Sequence, residues 1–251
     1  MDNTQLGNVN TTINGGIATI SFFHPAHNSL PANLLSALTE QITTAGNDPS
    51  VKVIVLQSEG DKTFCAGASF DELKAVQDLE GGKRFFSGFA NVINAMRKCP
   101  KFIIGRVHGK AVGGGVGLAA AADYCMATTH ATTKLSELAI GIGPFVIGPA
   151  VERKMGLSAF SQMAINATEW VTADWAKQKG LFTEVFETTE RLDAYIAYFA
   201  DILSQSSPEA MRQLKTILWA GTEHWDTLLA ERAAISGELV LSDFAKKAIA
   251  K

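Results

Sequence analysis

The chain has few of the residues that mark metal, redox or membrane chemistry. It carries three cysteines in 251 residues. Cys65, Cys99 and Cys125 are scattered and form no CxxC pair, so neither a disulfide framework nor a thiolate zinc site is expected. They read as small buried hydrophobes, reduced in a cytoplasmic protein. The five histidines form no HExxH, and His24 and His27, three apart, read as polar turn residues, so no metal is expected. No apolar run approaches the roughly 18 residues of a membrane span. Residues 1–10 lack the basic start and apolar stretch of a signal peptide. The net charge is −3, without the basic excess that would favour nucleic acid or an anionic membrane.

Three familiar nucleotide and hydrolase signatures are also missing. Gly113–Gly117 satisfies GxG, but Leu118 stands where a dinucleotide fingerprint needs its last glycine. There is no GxxxxGK[ST], and no GxSxG nucleophile elbow.

What the sequence has is hydrophobic patterning, at 47% apolar residues. Residues 11–23 predict a hairpin turning at Asn14-Gly15. Pro31 opens a helix to about Ala45, with Leu34, Leu35, Leu38 and Ile42 on one face. Residues 51–56 and 102–107 predict buried strands, and residues 85–96 and 117–122 predict helices. Short strands are expected at 124–127, 132–135 and 182–186. Helices are expected over 152–165, 172–179, 190–204, 208–220 and 226–250. The organisation is an α/β core over residues 1–190 followed by a helical C-terminal region, 191–251.

Two loops stand out, each following a buried strand: Phe64–Ser69 and Gly113–Gly115. Small residues let a ligand approach the backbone closely, and the helix after the second loop points free N–H groups at its N-terminus. N–H groups converging from the two loops would make an oxyanion hole. Glu137, among small and apolar residues, is a candidate general base or acid with a raised pKa.

Together these residues resemble the crotonase superfamily, the enoyl-CoA hydratase/isomerase family. His27-Asn28-Ser29-Leu30 is similar to its early N-A-L element, and Phe64-Cys65-Ala66-Gly67-Ala68 to its FxAGAD loop. Gly109–Gly117 with Asp123 is similar to the glycine-triplet segment, and Val171-Thr172-Ala173 with Gly180-Leu181 to a later helix. The resemblance implies a ββα spiral core, a C-terminal helical trimerisation region, and a homotrimer or dimer of trimers. It implies an acyl-CoA thioester substrate and no cofactor beyond the coenzyme A of that substrate. Carried over by position, Ala66 and Gly114 supply the oxyanion N–H groups and Glu137 the catalytic carboxylate. Ala26, Cys65, Gly67, Ala68, Gly113 and Pro144 fall at substrate-binding positions.

The chain departs from the family at its acids. Hydratases carry one glutamate just after the glycine triplet and another twenty residues later; here the first position is Gly117 and the second Glu137. A lone carboxylate suits a proton shuttle between C2 and C4, so isomerisation of a double bond is the expectation. The alternatives are a hydratase working with one glutamate, or with Glu72 as a recruited acid, and a non-catalytic acyl-CoA binder. Ser69 replaces the loop's usual Asp, and Lys62, Lys74 and Lys110 are candidates for coenzyme A phosphates. Asp123 is expected to bond backbone, and Trp170, Trp175 and Trp219 to be core or interface residues.

Overall fold

A computed structural model describes residues 6–250; the first five residues of the polar start, and Lys251, lie outside it. The first hairpin pairs β1 (Asn8–Asn14) with β2 (Ile17–Phe23), turning on Gly15-Gly16, both at positive φ. That is one residue later than the sequence patterning places it, because Asn14 still pairs with Ile17. Helix α1 (Ala32–Asn47) follows Pro31, then come β3 (Val53–Ser58), β4 (Thr63–Cys65), α2 (Phe70–Lys74) and α3 (Leu79–Lys98). Next are β5 (Phe102–Val107), β6 (Lys110–Val112), α4 (Gly114–Ala121), β7 (Tyr124–Thr128) and β8 (Thr133–Lys134). A 3₁₀ turn at Glu137–Ile140 precedes α5 (Gly148–Ile165), α6 (Ala173–Gln178) and β9 (Glu184–Phe186). The chain ends in α7 (Thr189–Ser204), α8 (Pro208–Leu218), α9 (Trp225–Leu239) and α10 (Asp243–Ile249).

The strands divide between two sheets in a repeating way. The larger runs β1-β2-β3-β5-β7-β9, parallel from β2 onward, and the smaller runs β4-β6-β8, also parallel. Each pass of the chain therefore lays one strand in the large sheet, one in the small sheet, and then turns back: a spiral of ββα units. The strands β4 and β6 carry too few residues to show a hydrophobic period, and sequence patterning misses both.

The central strands β3 and β5 are buried on both faces, which is why they read as unbroken apolar runs. Val53, Val55, Ile104 and Met126 face Leu192, Ile196 and Ala200 of α7. Their neighbours Ile54, Leu56, Ile103 and Cys125 face the main core with α1, α3 and α4. The C-terminal helices share these cores, since Trp219, Trp225, Leu229 and Ala233 belong to the main cluster.

The helix expected over 226–250 is two helices. Leu239 ends α9, and Ser242, in an extended conformation, caps α10 by accepting a hydrogen bond from the Ala245 N–H. Asp123 anchors α8 to the core. Its carboxylate accepts from the Ile103 N–H (2.7 Å), the Trp219 Nε1–H (2.7 Å) and the buried Lys215 ammonium (2.8 Å). Lys215 also donates to the Met96 and Lys101 carbonyls, so every ammonium proton has an acceptor.

Candidate active site

The two glycine-bearing loops meet at the start of α4. Gly113 caps that helix at φ 51°, ψ −114°, a conformation that side chains with a Cβ rarely adopt. The helix begins at Gly114, ahead of the apolar run at 117–121, because glycine lowers propensity without forbidding the turn. A Cβ on Gly67, itself at φ 92°, would lie 3.6 Å from the Gly114 nitrogen. The loop after β4 thus sits directly over the N-terminus of α4. A Cβ on Gly114 would run into the Phe89 ring of α3. Glycine there brings ring and helix start together.

The N–H of Ala66 is already taken: it donates to the His27 carbonyl at 3.2 Å. This corrects the assignment of Ala66 as an oxyanion donor. Ala68 forms a parallel bridge with Leu30, in which Leu30 N–H donates to Gly67 O (2.8 Å) and Ser69 N–H donates to Leu30 O (3.3 Å). In a parallel ladder those flanking groups serve the partner strand, so the N–H of Ala68 itself points the other way. Ala68 lines the cleft, and its N–H has no acceptor among the described residues. Asn28, at φ 54°, fastens the turn that presents His27 O. Its amide donates to the Glu59 and Thr63 carbonyls, and its Oδ1 accepts from the His24 N–H. The early Asn-Ser-Leu element thereby positions the loop without entering the cleft.

The cleft is an apolar cavity of about 150 Å³. Ala66, Gly67, Ala68, Gly113, Gly114, Glu137 and Pro144, all singled out in the sequence, line it. Ala26 and Cys65 do not. Ala26 is exposed on the turn before α1, and Cys65 is buried beneath the loop, its thiol pushed up to about 12 by burial. Glu72 is elsewhere as well, its carboxylate accepting from the Ala32 N–H at the start of α1 (2.9 Å). Lys62, Lys74 and Lys110 are exposed outside the cleft; the Lys74 ammonium sits 5.5 Å from the Phe70 ring. Trp219 is core, as expected, whereas Trp170 is 41% exposed, with the Lys110 and Lys134 ammonium groups over its ring. Among the described residues no cluster of three or more His, Cys, Asp or Glu is arranged to hold a metal.

Among the described residues, Glu137 is the one acidic side chain lining the cavity. Its Oε1 sits over Gly113, 2.8 Å from where a Cβ there would lie, and its Oε2 is buried without a hydrogen-bond partner. Burial pushes this carboxyl up to about 7, against a smaller opposing pull from its own backbone N–H. A carboxyl poised near neutrality can take and return a proton.

The space opposite, beside Gly117, is filled. A Cβ on Gly117 would lie 2.5 Å from the Ile147 Cγ2, so the Ile147 side chain occupies the place of any acid at that position. Ile147 and the rings of Phe85, Phe86, Phe89 and Phe145 also line the cavity. Sequence reading missed these contacts, since nothing in the spacing sets residue 147 against residue 117.

Comparison with known proteins identifies the family. The sequence model of the enoyl-CoA hydratase/isomerase family matches residues 12–249. A short-chain-enoyl-CoA hydratase from Clostridium acetobutylicum is 28% identical, across 98% of this chain and 94% of the relative. A carnitinyl-CoA dehydratase from Salmonella arizonae is 32% identical, across 82% and 78%. The crystal structure of an enoyl-CoA hydratase from Bacillus halodurans superposes with a TM-score of 0.89 at 22% identity, covering 96% of this chain and 98% of that one. The chain therefore belongs to the enoyl-CoA hydratase/isomerase family of the crotonase superfamily and is an enzyme of hydratase or isomerase type.

Proposed function

We propose that the protein is an enoyl-CoA isomerase that moves a double bond from C3–C4 to C2–C3 of an acyl-CoA thioester. The observation that carries this reading is the single carboxylate, Glu137, in a cavity where Ile147 fills the place of a second acid. Glu137 as carboxylate removes a proton from C2, and the electron pair moves into the thioester carbonyl to give a dienolate. The N–H groups of Ala68 and Gly114 hold the resulting oxyanion; one such donor is worth about 3–4 kcal/mol of transition-state stabilisation. Glu137, now protonated, delivers that same proton to C4, and the electrons return from oxygen to form the C2–C3 double bond. Water is not consumed, which suits a mostly apolar lining that holds a single carboxylate. The reading calls for no cofactor beyond the coenzyme A of the substrate, and for a homotrimer or dimer of trimers in the cytoplasm.

Hydration of a 2-enoyl-CoA is the second reading, favoured by the hydratase and dehydratase activities of the relatives. Incubation with a 3-enoyl-CoA and a 2-enoyl-CoA in deuterated water separates the two. The isomerase reading expects conversion of the 3-enoyl ester and negligible 3-hydroxyacyl product from the 2-enoyl ester. Turnover of the 2-enoyl ester alone would overturn it. Turnover of neither, with acyl-CoA binding retained, would mark a non-catalytic binder.

A further inference from the structure

The proposed acyl-CoA reading leaves open which acyl group the cavity takes, and helix α3 narrows the choice. Its Phe89 ring lies against Gly114, at the oxyanion end of the cleft. Four residues earlier, about 6 Å back along the helix axis, Phe85 packs with the C-terminal cluster of Leu73, Ile142, Val240, Ala245 and Ile249. Helix α9 closes the same end. Gly82 of α3 and Gly237 of α9 touch backbone to backbone, a Cβ on Gly82 falling 2.7 Å from the Gly237 Cα, and this crossing sets Ser236 in the cavity wall.

Beyond Phe85 the molecule has a second, open cavity, lined by Ala32, Glu72, Val76, Asp78 and Arg84 among others. Phe85 is the one residue that lines both. Phe85 therefore lies between the cleft and an outer groove. The cleft, about 150 Å³, is well below the roughly 300–1,000 Å³ of sites for drug-sized ligands. Its lining holds no lysine or arginine, and its polar side chains are Ser136, Ser236 and Glu137. The Ser236 hydroxyl already donates to the Arg232 carbonyl at 3.2 Å. A carboxylate on the acyl group would meet no cation there and would share the pocket with Glu137.

We infer that the pocket selects a short, uncharged acyl group and that Phe85 sets the chain-length limit. This rests on the acyl-CoA reading but not on the direction of the chemistry, so it is tested with esters that have no double bond to move. Calorimetric titration would compare butanoyl-, hexanoyl-, dodecanoyl- and glutaryl-CoA against the wild type, Phe85→Ala and, as a milder change that keeps a branched apolar side chain, Phe85→Leu. The wild type is expected to bind the two short neutral esters at least tenfold more tightly than either the dodecanoyl or the glutaryl ester. Phe85→Ala joins the two cavities and is expected to raise the affinity for dodecanoyl-CoA at least tenfold relative to that for butanoyl-CoA; Phe85→Leu should fall between. Equal binding of hexanoyl- and dodecanoyl-CoA by the wild type, or unchanged discrimination in both variants, would overturn the role of Phe85. Glutaryl-CoA bound as tightly as butanoyl-CoA would overturn the preference for a neutral group. Failure of all four esters to bind would remove the acyl-CoA reading itself. Failed isomerisation with these affinities intact would remove only the proposed reaction.

Discussion

Ile147 stands where a side chain at position 117 would have to go: a Cβ on Gly117 would lie 2.5 Å from the Ile147 Cγ2. The missing acid and the isoleucine are thus one structural fact. Restoring the acid alone, as Gly117→Glu, overpacks the wall and is expected to cost about 1–3 kcal/mol. Adding Ile147→Ala should recover most of that loss, and only the double variant should gain hydration of a 2-enoyl-CoA. Denaturant melts and a hydration assay on both variants check this. Recovery of hydration by Gly117→Glu alone would show that the steric argument fails.

Glu137 must be ionised to take a proton, and its pKa lies near 7. The rate constant kcat/KM for isomerisation is therefore expected to rise about tenfold per pH unit below about 7 and to level off above it. Glu137→Gln should lower kcat about 10²–10⁴-fold and leave the affinity for a saturated acyl-CoA within threefold. A pH–rate profile with a paired binding titration measures both.

The same burial affects stability, with a definite sign. The folded state holds the Glu137 proton up to about pH 7, whereas the unfolded chain releases it near 4.5. This group therefore lowers stability progressively as pH rises from about 4.5 to 7. Glu137→Gln removes the effect, so the variant is expected to be more stable than the wild type at pH 8 by about 1–3 kcal/mol, with the difference shrinking toward pH 5. Thermal melts across that range give the comparison.

Backbone chemistry tests the two N–H groups of the first loop. Replacing Ala68 with its α-hydroxy acid removes an N–H that has no acceptor among the described residues, and if that group is the proposed oxyanion donor the change lowers kcat about 10²–10³-fold with little change in Tm. The same replacement at Ala66 removes the bond to the His27 carbonyl. It should cost about 1 kcal/mol of stability and a smaller share of the rate.

The Asp123–Lys215 pair is nearly inaccessible to solvent, with side chains 6% and 3% exposed. Lys215→Met leaves Asp123 buried without its cation and is expected to destabilise by about 3–5 kcal/mol. Asp123→Asn combined with Lys215→Met should cost less than the sum of the single changes, because neither variant group is then an unpaired charge. Urea unfolding of the four proteins completes the cycle.

Much of this was legible in the sequence because it rests on local pattern. The alternation in residues 17–23, the apolar runs of β3 and β5 and the helical faces of α1 and α3 follow from side-chain period alone. Two short strands and one helix break were not legible. β4 and β6 have three residues each, and the break between α9 and α10 depends on one serine cap.

The two glycine-bearing loops and Glu137 are properties of the sequence by itself. So are the parallel-sheet strands and the absence of a glutamate at position 117, because each is a matter of which residue types occur at which spacing. Only the tertiary structure decided which N–H groups stay free, since that depends on His27 O having claimed Ala66 while the Leu30 bridge turns Ala68 outward. It likewise decided that Ile147 closes the second acid position and that Phe85 lies between two cavities. These are meetings of segments distant along the chain, and no period in the sequence records what a side chain will face once the spiral has closed.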